Sequence, residues 1–572
     1  MKLRSAEWFE GRDEIGLQAR SVLRTLGWSR DFFQGKPVIG IANSWSELNN
    51  CSLNLPDLAA AVKRGVIAAG GVPLEFNTMS LGEELMKPSA MLYRNLMAME
   101  VEETLRAYPL DGVVLLCGCD KTTPAQLMAA ASANLPAIQV CAGPKAAGVW
   151  RGVEVGSGTD LWRYWDQFRN GQISEADWNA LEACYSCGVG TCNTMGTAST
   201  MAVLSEALGM MLPGTATIPA ADSRRLVAAE RSGARAVALV HENLRPHDIL
   251  THAAFENALR VYAAIGGSTN AVIHLLALAG RLRVPLALED FDRISAETPT
   301  LLDLQPSGAR LMAAFDAVGG LPALLARLGN AIDSSALTVD GKPLGASILA
   351  SQDTSIVRPL DAPIQPSGAL AVLRGNLVPR GAILRTTTAS PHLLQHRGPA
   401  LVFDSYAEML ERIDAPDLPV TPTTVLVLRN AGAVGVPGMP EWGSIPVPKK
   451  LLATGVRDIV RISDARMSGT SAGTIILHAT PEAAVGGPLA LVQDGDMIEL
   501  NVKQRQLNLL VAPDELERRH RSWQPAPPRH TRGYPALYAA HVLQPDEGCD
   551  FDFLRPQSDA DMEFVPPIVG RS

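Results

Sequence analysis

The sequence predicts an α/β fold in two domains: an N-terminal α/β domain with a largely parallel sheet, then a C-terminal β-barrel-like domain. A chain of 572 residues is too long for one hydrophobic core. Apolar runs alternate with helical segments in the first part, whereas short β-rich runs with turn signals dominate from about Gly368. We therefore expect domains at 1–360 and 361–572. The predicted linker is marked by Pro359, Pro363 and Pro366.

Charge and composition exclude several classes of protein. The net charge of −9 argues against a general binder of nucleic acid or membrane surfaces, because both need a basic face. No uncharged apolar run approaches the eighteen or so residues of a membrane span. Eight cysteines are too few for a disulfide scaffold of this size, so metal ligands or unmodified thiols are expected. The sequence predicts a soluble, cytoplasmic protein.

One predicted strand, loop and helix carries three reactive groups. The apolar run Val113–Leu116 predicts a strand, and Thr123 is the expected N-cap of a helix that continues through 126–133. The loop between them holds a thiol, a carboxylate and an amine on consecutive residues, Cys119, Asp120 and Lys121. Open α/β sheets bind ligands at the carboxyl ends of their strands. The alternative is a buried cysteine beside an exposed ion pair.

Two earlier strand ends repeat this arrangement. The strand predicted at 36–42 leads through a loop with Cys51 into a helix at 55–69. The strand at 72–76 is followed by Glu83, ahead of a long helix from about Ser89 to Arg106. Taken alone, Glu83 is equally well explained as a solvated residue near a helix start.

A glycine-rich loop supplies another thiol. The stretch 186–197 runs into a helix at 198–209, and its glycines allow backbone amides to approach a ligand at the helix N-terminus. Asn193 stands where the dinucleotide fingerprint needs its third glycine, so that motif fails. Cys192 is the expected anchor. Cys184 and Cys187 have the spacing of half a zinc site, but no second pair completes it.

Two loops of the predicted β domain stand out. Glu441 is the single carboxylate of a rigid Gly/Pro turn, 435–443, which suits a residue that must be held on a ligand. The loop 463–471 follows a predicted strand and is crowded with small hydroxyl residues. Each loop alone is also compatible with ordinary turn chemistry.

These motifs together resemble the iron-sulfur dehydratases of dihydroxy acids and sugar acids. The resemblance extends from Trp8 to about Gly495. It rests on 119–121, 190–197, 266–270, 438–441 and 466–469, and the stretches 80–83, 91–99 and 156–162 are most similar to the pentonate dehydratases. It implies an enzyme that removes water from a 2,3-dihydroxy sugar acid, an aldonate and especially a pentonate, and releases a 2-keto-3-deoxy acid.

The resemblance also implies the site residues. Three thiolates would bind a [2Fe-2S] cluster with one open iron position, namely Cys51, Cys119 and Cys192. Oxygen ligands would bind Mg²⁺, namely Glu83, Asp120, Glu441 and a carbamylated Lys121. Ser468 matches the base that removes the C2 proton, and Thr470 matches a residue that contacts the substrate. A homodimer or homotetramer is expected.

Two alternatives and one departure accompany this interpretation. Dihydroxyacid dehydratase of branched-chain amino-acid biosynthesis would use the same reaction type and metals. A non-enzymatic iron-sulfur electron carrier or sensor would need a fourth cluster thiolate, from Cys117, Cys184 or Cys187.

Many relatives carry a histidine three residues after the first cluster cysteine, where this chain has Asn54. That change puts substrate preference or cluster stability in question.

Overall fold

The computed structural model describes residues 2–351 and 353–570. Its strands are β1 Val38–Asn43, β2 Val72–Asn77, β3 Gly112–Cys117, β4 Ala137–Cys141, β5 Gly148–Trp150, β6 Val153–Val155, β7 Leu370–Leu373, β8 Gly381–Arg385, β9 Gln395–Phe403, β10 Val425–Leu428, β11 Arg461–Ser463, β12 Ile475–Thr480, β13 Met497–Asn501 and β14 Gln506–Leu509. None of the helices in these residues has the length and apolar content needed to span a membrane.

The helices cluster in the N-terminal half. They are α1 Ala6–Phe9, α2 Glu14–Thr25, α3 Arg30–Phe33, α4 Leu55–Ala68, α5 Arg94–Ala107, α6 Thr122–Ala133, α7 Thr159–Arg169, α8 Glu175–Tyr185, α9 Thr197–Ala207, α10 Ser223–Glu242, α11 Pro246–Ile249, α12 His252–Ala264, α13 Asn270–Arg281, α14 Leu288–Glu297, α15 Met312–Ala317, α16 Gly320–Leu328, α17 Tyr406–Arg412, α18 Lys449–Ala453, α19 Pro513–Ser522 and α20 Gly533–His541.

The N-terminal sheet is parallel, with strand order β2-β1-β3-β4. Strands β1, β3 and β4 are buried along their whole length because helices cover both faces, which explains why they read as continuous apolar runs. Strand β2 is added on one side of β1, whereas β3 and β4 are added on the other, so the strand order reverses between β1 and β3, and ligands bind beyond the strand ends at such a point. The register pairs Asn43 with Leu116, so the loops after β1 and β3 begin side by side.

The C-terminal sheet has eight strands in the order β14-β13-β9-β10-β11-β12-β8-β7 and is almost closed into a barrel. Backbone bonds across the gap, from Arg374 N to Arg505 O and from Leu507 N to Arg374 O (both 2.8 Å), bring the two edge strands together. One set of apolar side chains fills the barrel, and another packs under α17 and α18. The predicted fold class is thus confirmed.

The two halves share a core. Barrel residues such as Val372, Ile383 and Leu477 belong to the same buried cluster as the strands of the N-terminal sheet. This end of the barrel therefore lies against the α/β half. The first barrel strand begins at Leu370, and the domain boundary near residue 360 stays a prediction.

Some predicted boundaries were wrong. Helix α6 begins at Thr122 with Lys121 in the N-cap position, so Thr123 is not the cap. The Thr122 hydroxyl instead bonds the backbone of Gly118, because the loop turns back sharply after β3. The helix expected from Ser89 begins as a 3₁₀ turn, Ala90–Tyr93, before α5.

Candidate active site

The loops after β1 and β3 meet at the carboxyl edge of the parallel sheet. A Cβ on Gly118 would lie 2.4 Å from the carbonyl oxygen of Cys51, so glycine is required for this close approach. The next residue, Cys119, has a φ of 72°, in the left-handed region that a non-glycine residue adopts at some cost. This backbone places its thiol beside that of Cys51.

The two thiols share a pocket with a carboxylate. The Sγ atoms of Cys51 and Cys119 and a carboxylate oxygen of Glu84 all lie within 4.8 Å of one another. Cys192, on the glycine-rich loop, is close enough to interact electrostatically with Cys51 and Cys119. The structure therefore brings Cys51 and Cys119 together with Glu84, and it places Cys192 within electrostatic range of both thiols.

Each of these thiols is disfavoured as a thiolate by its neighbours. The pKa of Cys51 is raised by its hydrogen bond with Cys119 and by burial. The pKa of Cys192 is raised by burial and by the carboxylates of Glu84 and Asp120. A soft metal group with positive iron centres would supply the charge that three clustered thiolates need. The donor set fits an iron-sulfur cluster held by three cysteines.

The other cysteines lie elsewhere in the described part of the chain. The Sγ of Cys117 lies 3.4 Å from that of Cys141 in the core between β3 and β4. Cys187 Sγ bonds the backbone at the end of α8, and Cys549 packs against Met439. Among residues 2–351 and 353–570, no further cysteine joins the group formed by Cys51, Cys119 and Glu84, and Cys192 is linked to it only electrostatically.

Three carboxylates surround Lys121, which is fully buried. Its Nζ lies 3.2 Å from Asp120 Oδ2, 3.4 Å from Glu83 Oε2 and 3.8 Å from Glu441 Oε1. Burial favours the neutral amine, but Asp120 and Glu83 outweigh it and raise the pKa of Lys121. The ammonium thus occupies a point where an anionic pocket needs positive charge.

Arg466 and Asn270 complete this pocket. Arg466 Nη1 lies 3.0 Å from Glu441 Oε1, and Nη2 donates to Ser89 Oγ at 2.8 Å. Asn270 Nδ2 donates to the same Glu441 oxygen at 2.8 Å. Burial opposes ionisation of Glu83, yet Lys121 and Arg466 leave its pKa below the ordinary value. Burial and the neighbouring Glu83 raise the pKa of Glu441.

The residues of this pocket fit a hard divalent cation. Oε2 of Glu83 is buried and near Nζ of Lys121, but it makes no hydrogen bond, so it is a free ligand position. Carboxylate oxygens are the donors Mg²⁺ prefers. A carbamate on Lys121 would remove the positive charge and add an anionic oxygen, which makes a cation necessary at the same point.

The serine loop of the barrel half faces these groups. Ser468 is half-buried, and its Oγ lies 2.8 Å from Thr470 Oγ1. Trp162 Nε1 donates to Thr470 Oγ1 at 3.2 Å, which leaves the Thr470 proton free to point at Ser468. Ser471 is buried and its hydroxyl bonds Ser444. Of the two serine hydroxyls, that of Ser468 is the more accessible.

The loop before α7 forms a wall beside Thr470. A Cβ on Gly158 would lie 2.0 Å from Thr470 Oγ1, so only glycine fits there. The Tyr185 hydroxyl accepts a hydrogen bond from Gly158 N at 2.9 Å. Thr159 Oγ1 donates to Thr470 O at 3.0 Å. The N-terminal half and the serine loop are thereby joined at the site.

Sequence reasoning missed the roles of three residues. Asn270 and Arg466 entered the sequence analysis only as members of the motifs 266–270 and 466–469. Both bind Glu441, Asn270 from the N-terminal half and Arg466 from within the C-terminal half. Glu84 was overlooked beside Glu83. Its position after a strand, next to an already suspected carboxylate, was the available signal.

The chain is similar to known dehydratases over most of its length. The N-terminal dihydroxy-acid/6-phosphogluconate dehydratase pattern matches residues 36–347, and the C-terminal pattern matches 355–549. L-arabonate dehydratase of Azospirillum brasilense is 51% identical, with 97% of each chain covered. 6-Deoxy-6-sulfo-D-gluconate dehydratase of Pseudomonas putida is 49% identical over 97% of this chain and 96% of that protein. Dihydroxy-acid dehydratase of Roseiflexus sp. (strain RS-1) is 39% identical over 96% and 98%.

Proposed function

The chain belongs to the dihydroxy-acid/6-phosphogluconate dehydratase family and is a dehydratase, and from this premise we propose that its substrate is a 2,3-dihydroxy sugar acid. The preferred substrate would be a pentonate and the product a 2-keto-3-deoxy acid. The observation that carries the proposal is the pocket of Lys121, Glu83, Asp120 and Glu441 beside the clustered thiols. The similarity to an arabonate dehydratase supports the substrate class.

Two groups are proposed to be held by these residues. Cys51, Cys119 and Cys192 would hold a [2Fe-2S] cluster. Mg²⁺ would be held by Glu83, Asp120, Glu441 and carbamylated Lys121. When bound, these groups supply Lewis acidity toward the substrate's oxygens. The protein's own part is to fix their ligands: Arg466 and Asn270 both donate hydrogen bonds to Oε1 of Glu441.

Ser468 is the proposed base for the C2 proton. A serine alkoxide needs nearby donors, because a free hydroxyl is a poor base. Thr470 supplies them: its Oγ1 is 2.8 Å from Ser468 Oγ, and its backbone N–H donates to the same oxygen at 3.4 Å. Trp162 fixes the Thr470 hydroxyl in turn. The loop therefore favours Ser468 over Ser471, whose hydroxyl is bonded to Ser444.

Dehydration of a branched dihydroxy acid is the second candidate, since relatives with that name are 39% identical over most of their length. An electron carrier is less well supported, because Cys117 and Cys187 bond other partners and because such a protein has no use for the carboxylates around Lys121. We also propose that the protein assembles as two or four copies and is cytoplasmic. Light scattering of the purified protein would measure the number of copies.

The test uses enzyme prepared without oxygen and supplied with iron, sulfide and Mg²⁺. A panel of pentonates, hexonates and a branched dihydroxy acid is assayed for 2-keto acid. We expect turnover of sugar acids, and turnover of the branched acid alone would reject their assignment as substrates. Ser468→Ala should lower kcat by about 10²–10⁴-fold and stop exchange of the C2 hydrogen with deuterated solvent. Ser471→Ala is the matched control. If activity were lost in Ser471→Ala and kept in Ser468→Ala, the assignment of the base to Ser468 would be wrong.

A further inference from the structure

Lys145 is a buried lysine that the proposed chemistry does not use. It follows β4 and is only 6% exposed. Within the described ranges, 2–351 and 353–570, no carboxylate oxygen lies within 4.0 Å of its Nζ. The Nζ donates to Ser186 Oγ at 3.0 Å and lies 5.1 Å from the centre of the Tyr185 ring. Buried ammonium groups are normally paired with an anion, because desolvation of an isolated charge is costly.

The position of Lys145 is fixed by the cysteine loop. Its backbone N–H donates to Thr191 O at 2.9 Å, and Thr191 N donates to Gly143 O at 2.9 Å. Lys145 thus lies directly beside the residue that precedes Cys192. Its charge acts on the Cys192 thiol and on the Glu84 carboxyl, although neither is close enough to form an ion pair.

The ammonium lies one side chain away from the serine loop. Tyr185, whose ring lies against it, bonds Gly158 N through its hydroxyl, and Gly158 is packed on Thr470. One tyrosine ring therefore separates Lys145 from the loop of Ser468. Ser186, its hydrogen-bond acceptor, is exposed. A lysine has three N–H donors, and one protein oxygen accepts from Nζ here.

We propose that Lys145 forms an oxyanion subsite for the far end of the substrate. A substrate with its carboxylate among the residues around Lys121 and its C2 hydrogen at Ser468 would extend its remaining carbons past the cysteines toward Lys145. The subsite selects sugar acids with a second negative group, a terminal carboxylate, sulfonate or phosphate. This inference rests on the proposed function and adds the substituent that is recognised.

The experiment compares matched acids in the holoenzyme. Five- and six-carbon acids of one configuration are used, with a terminal CH₂OH, carboxylate, sulfonate or phosphate. The oxyanion-ended acids should have the higher kcat/KM. Lys145→Met should lower their kcat/KM by about 10- to 100-fold more than that of the CH₂OH acid, mostly through KM. Lys145→Arg should restore part of the preference. Lys342→Met, at an exposed lysine, is the control for loss of a lysine.

The proposed subsite would be overturned by either of two results. One is an equal loss of kcat/KM on all acids in Lys145→Met, and the other is equal kcat/KM for all acids in the unaltered enzyme. A changed visible spectrum in Lys145→Met would assign the lysine to the iron-sulfur group instead. Calorimetric binding of the same acids is measured in parallel. If no acid is dehydrated but oxyanion-ended acids still bind through Lys145, the proposed function fails and the subsite stands. If acids are dehydrated without preference for an oxyanion end, the proposed function stands and the subsite fails.

Discussion

At Cys119 the backbone itself carries information about function. A left-handed conformation costs a non-glycine residue on the order of 1 kcal/mol, and Cys119 adopts it with φ 72° at the end of a buried strand. The surrounding loop over-determines it: Gly118 contacts the Cys51 backbone, and Thr122 bonds Gly118. The geometry that results places two thiols together, which is expected of ligands to one group.

Replacing the clustered cysteines tests that interpretation. Cys51→Ser, Cys119→Ser and Cys192→Ser should each lose the visible absorption of an iron-sulfur cluster and all turnover, because serine replaces a soft ligand. Cys184→Ser and Cys549→Ser are the controls, and both should keep the absorption. An intact cluster in all of the first three variants would contradict the ligand assignment.

A variant of Lys121 can test the proposed Mg²⁺ site without changing the proposed cluster ligands. Its Nζ lies near the carboxylates of Glu83, Asp120 and Glu441, and no thiol in the described part of the chain contacts it. Lys121→Met should therefore abolish Mg²⁺-dependent turnover and weaken Mg²⁺ binding, while the iron-sulfur absorption remains. Absorption spectra and Mg²⁺ titration measure the two effects separately. Loss of the cluster in this variant would show that the two groups depend on each other.

Residues that follow strands could be predicted, and residues that cross between halves could not. Cys51, Cys119 and Lys121 lie in the loops that follow apolar runs, so their edge of the sheet follows from local pattern. Asn270 bonds Glu441 and Met467 in the other half, and Arg466 bonds Ser89 in the other half. Nothing local signals such a contact. Whether each predicted ligand acts as proposed is for the variants above to decide.

Among the elements, the turn that carries Glu441 depends on buried acids behind it. Glu482 Oε1 accepts from Val434 N and Gly435 N, at 2.8 and 2.7 Å. Burial and the neighbouring Asp464 raise the pKa of Glu482 to about 7. Burial raises the pKa of Asp464 to about 6. These carboxyls hold the first part of the loop 430–441 in place, so the position of Glu441 is linked to their protonation.

The sign of the resulting pH dependence follows from the raised pKa. Between pH 4.5 and 7 the Glu482 carboxyl is ionised in the unfolded chain and still protonated in the folded chain. The contribution of Glu482 to the free energy of unfolding therefore falls as the pH rises through this range. The fall is at most about 3 kcal/mol. Glu482→Gln mimics the protonated carboxyl and should flatten the decline. Denaturant unfolding of both proteins at pH 5 and pH 7 measures it, and an unchanged slope would be contrary to this account.

At the scale of the whole molecule, the C-terminal segment joins the barrel half to the N-terminal helices. Arg94 of α5 donates to the carbonyl oxygens of Gly548 and Cys549, at 2.9 and 2.8 Å. Arg281 of α13 forms a fully buried ion pair with Asp550, with distances of 2.8 and 3.1 Å. Because α13 begins with Asn270, which binds Glu441, the docking of this segment bears on the active site.

The buried ion pair of Arg281 and Asp550 should contribute to the stability of the fold. Asp550→Asn removes one of the two carboxylates beside Arg281, and Glu102 Oε2 remains 3.5 Å from Nη1. The cost should therefore be below the roughly 3–5 kcal/mol of a buried pair that loses its whole partner, and well above that of an exposed pair. The exposed pair of Arg283 and Asp559 is the matched control, since Asp559→Asn should cost less than about 1 kcal/mol. Denaturant unfolding measures both. Since the side-chain contacts of Asp550 are with Arg281 and not with Cys51, Cys119 or Cys192, the folded fraction of Asp550→Asn should keep the iron-sulfur absorption. Equal stability of the two variants would mean that the segment does not hold the halves together through this pair.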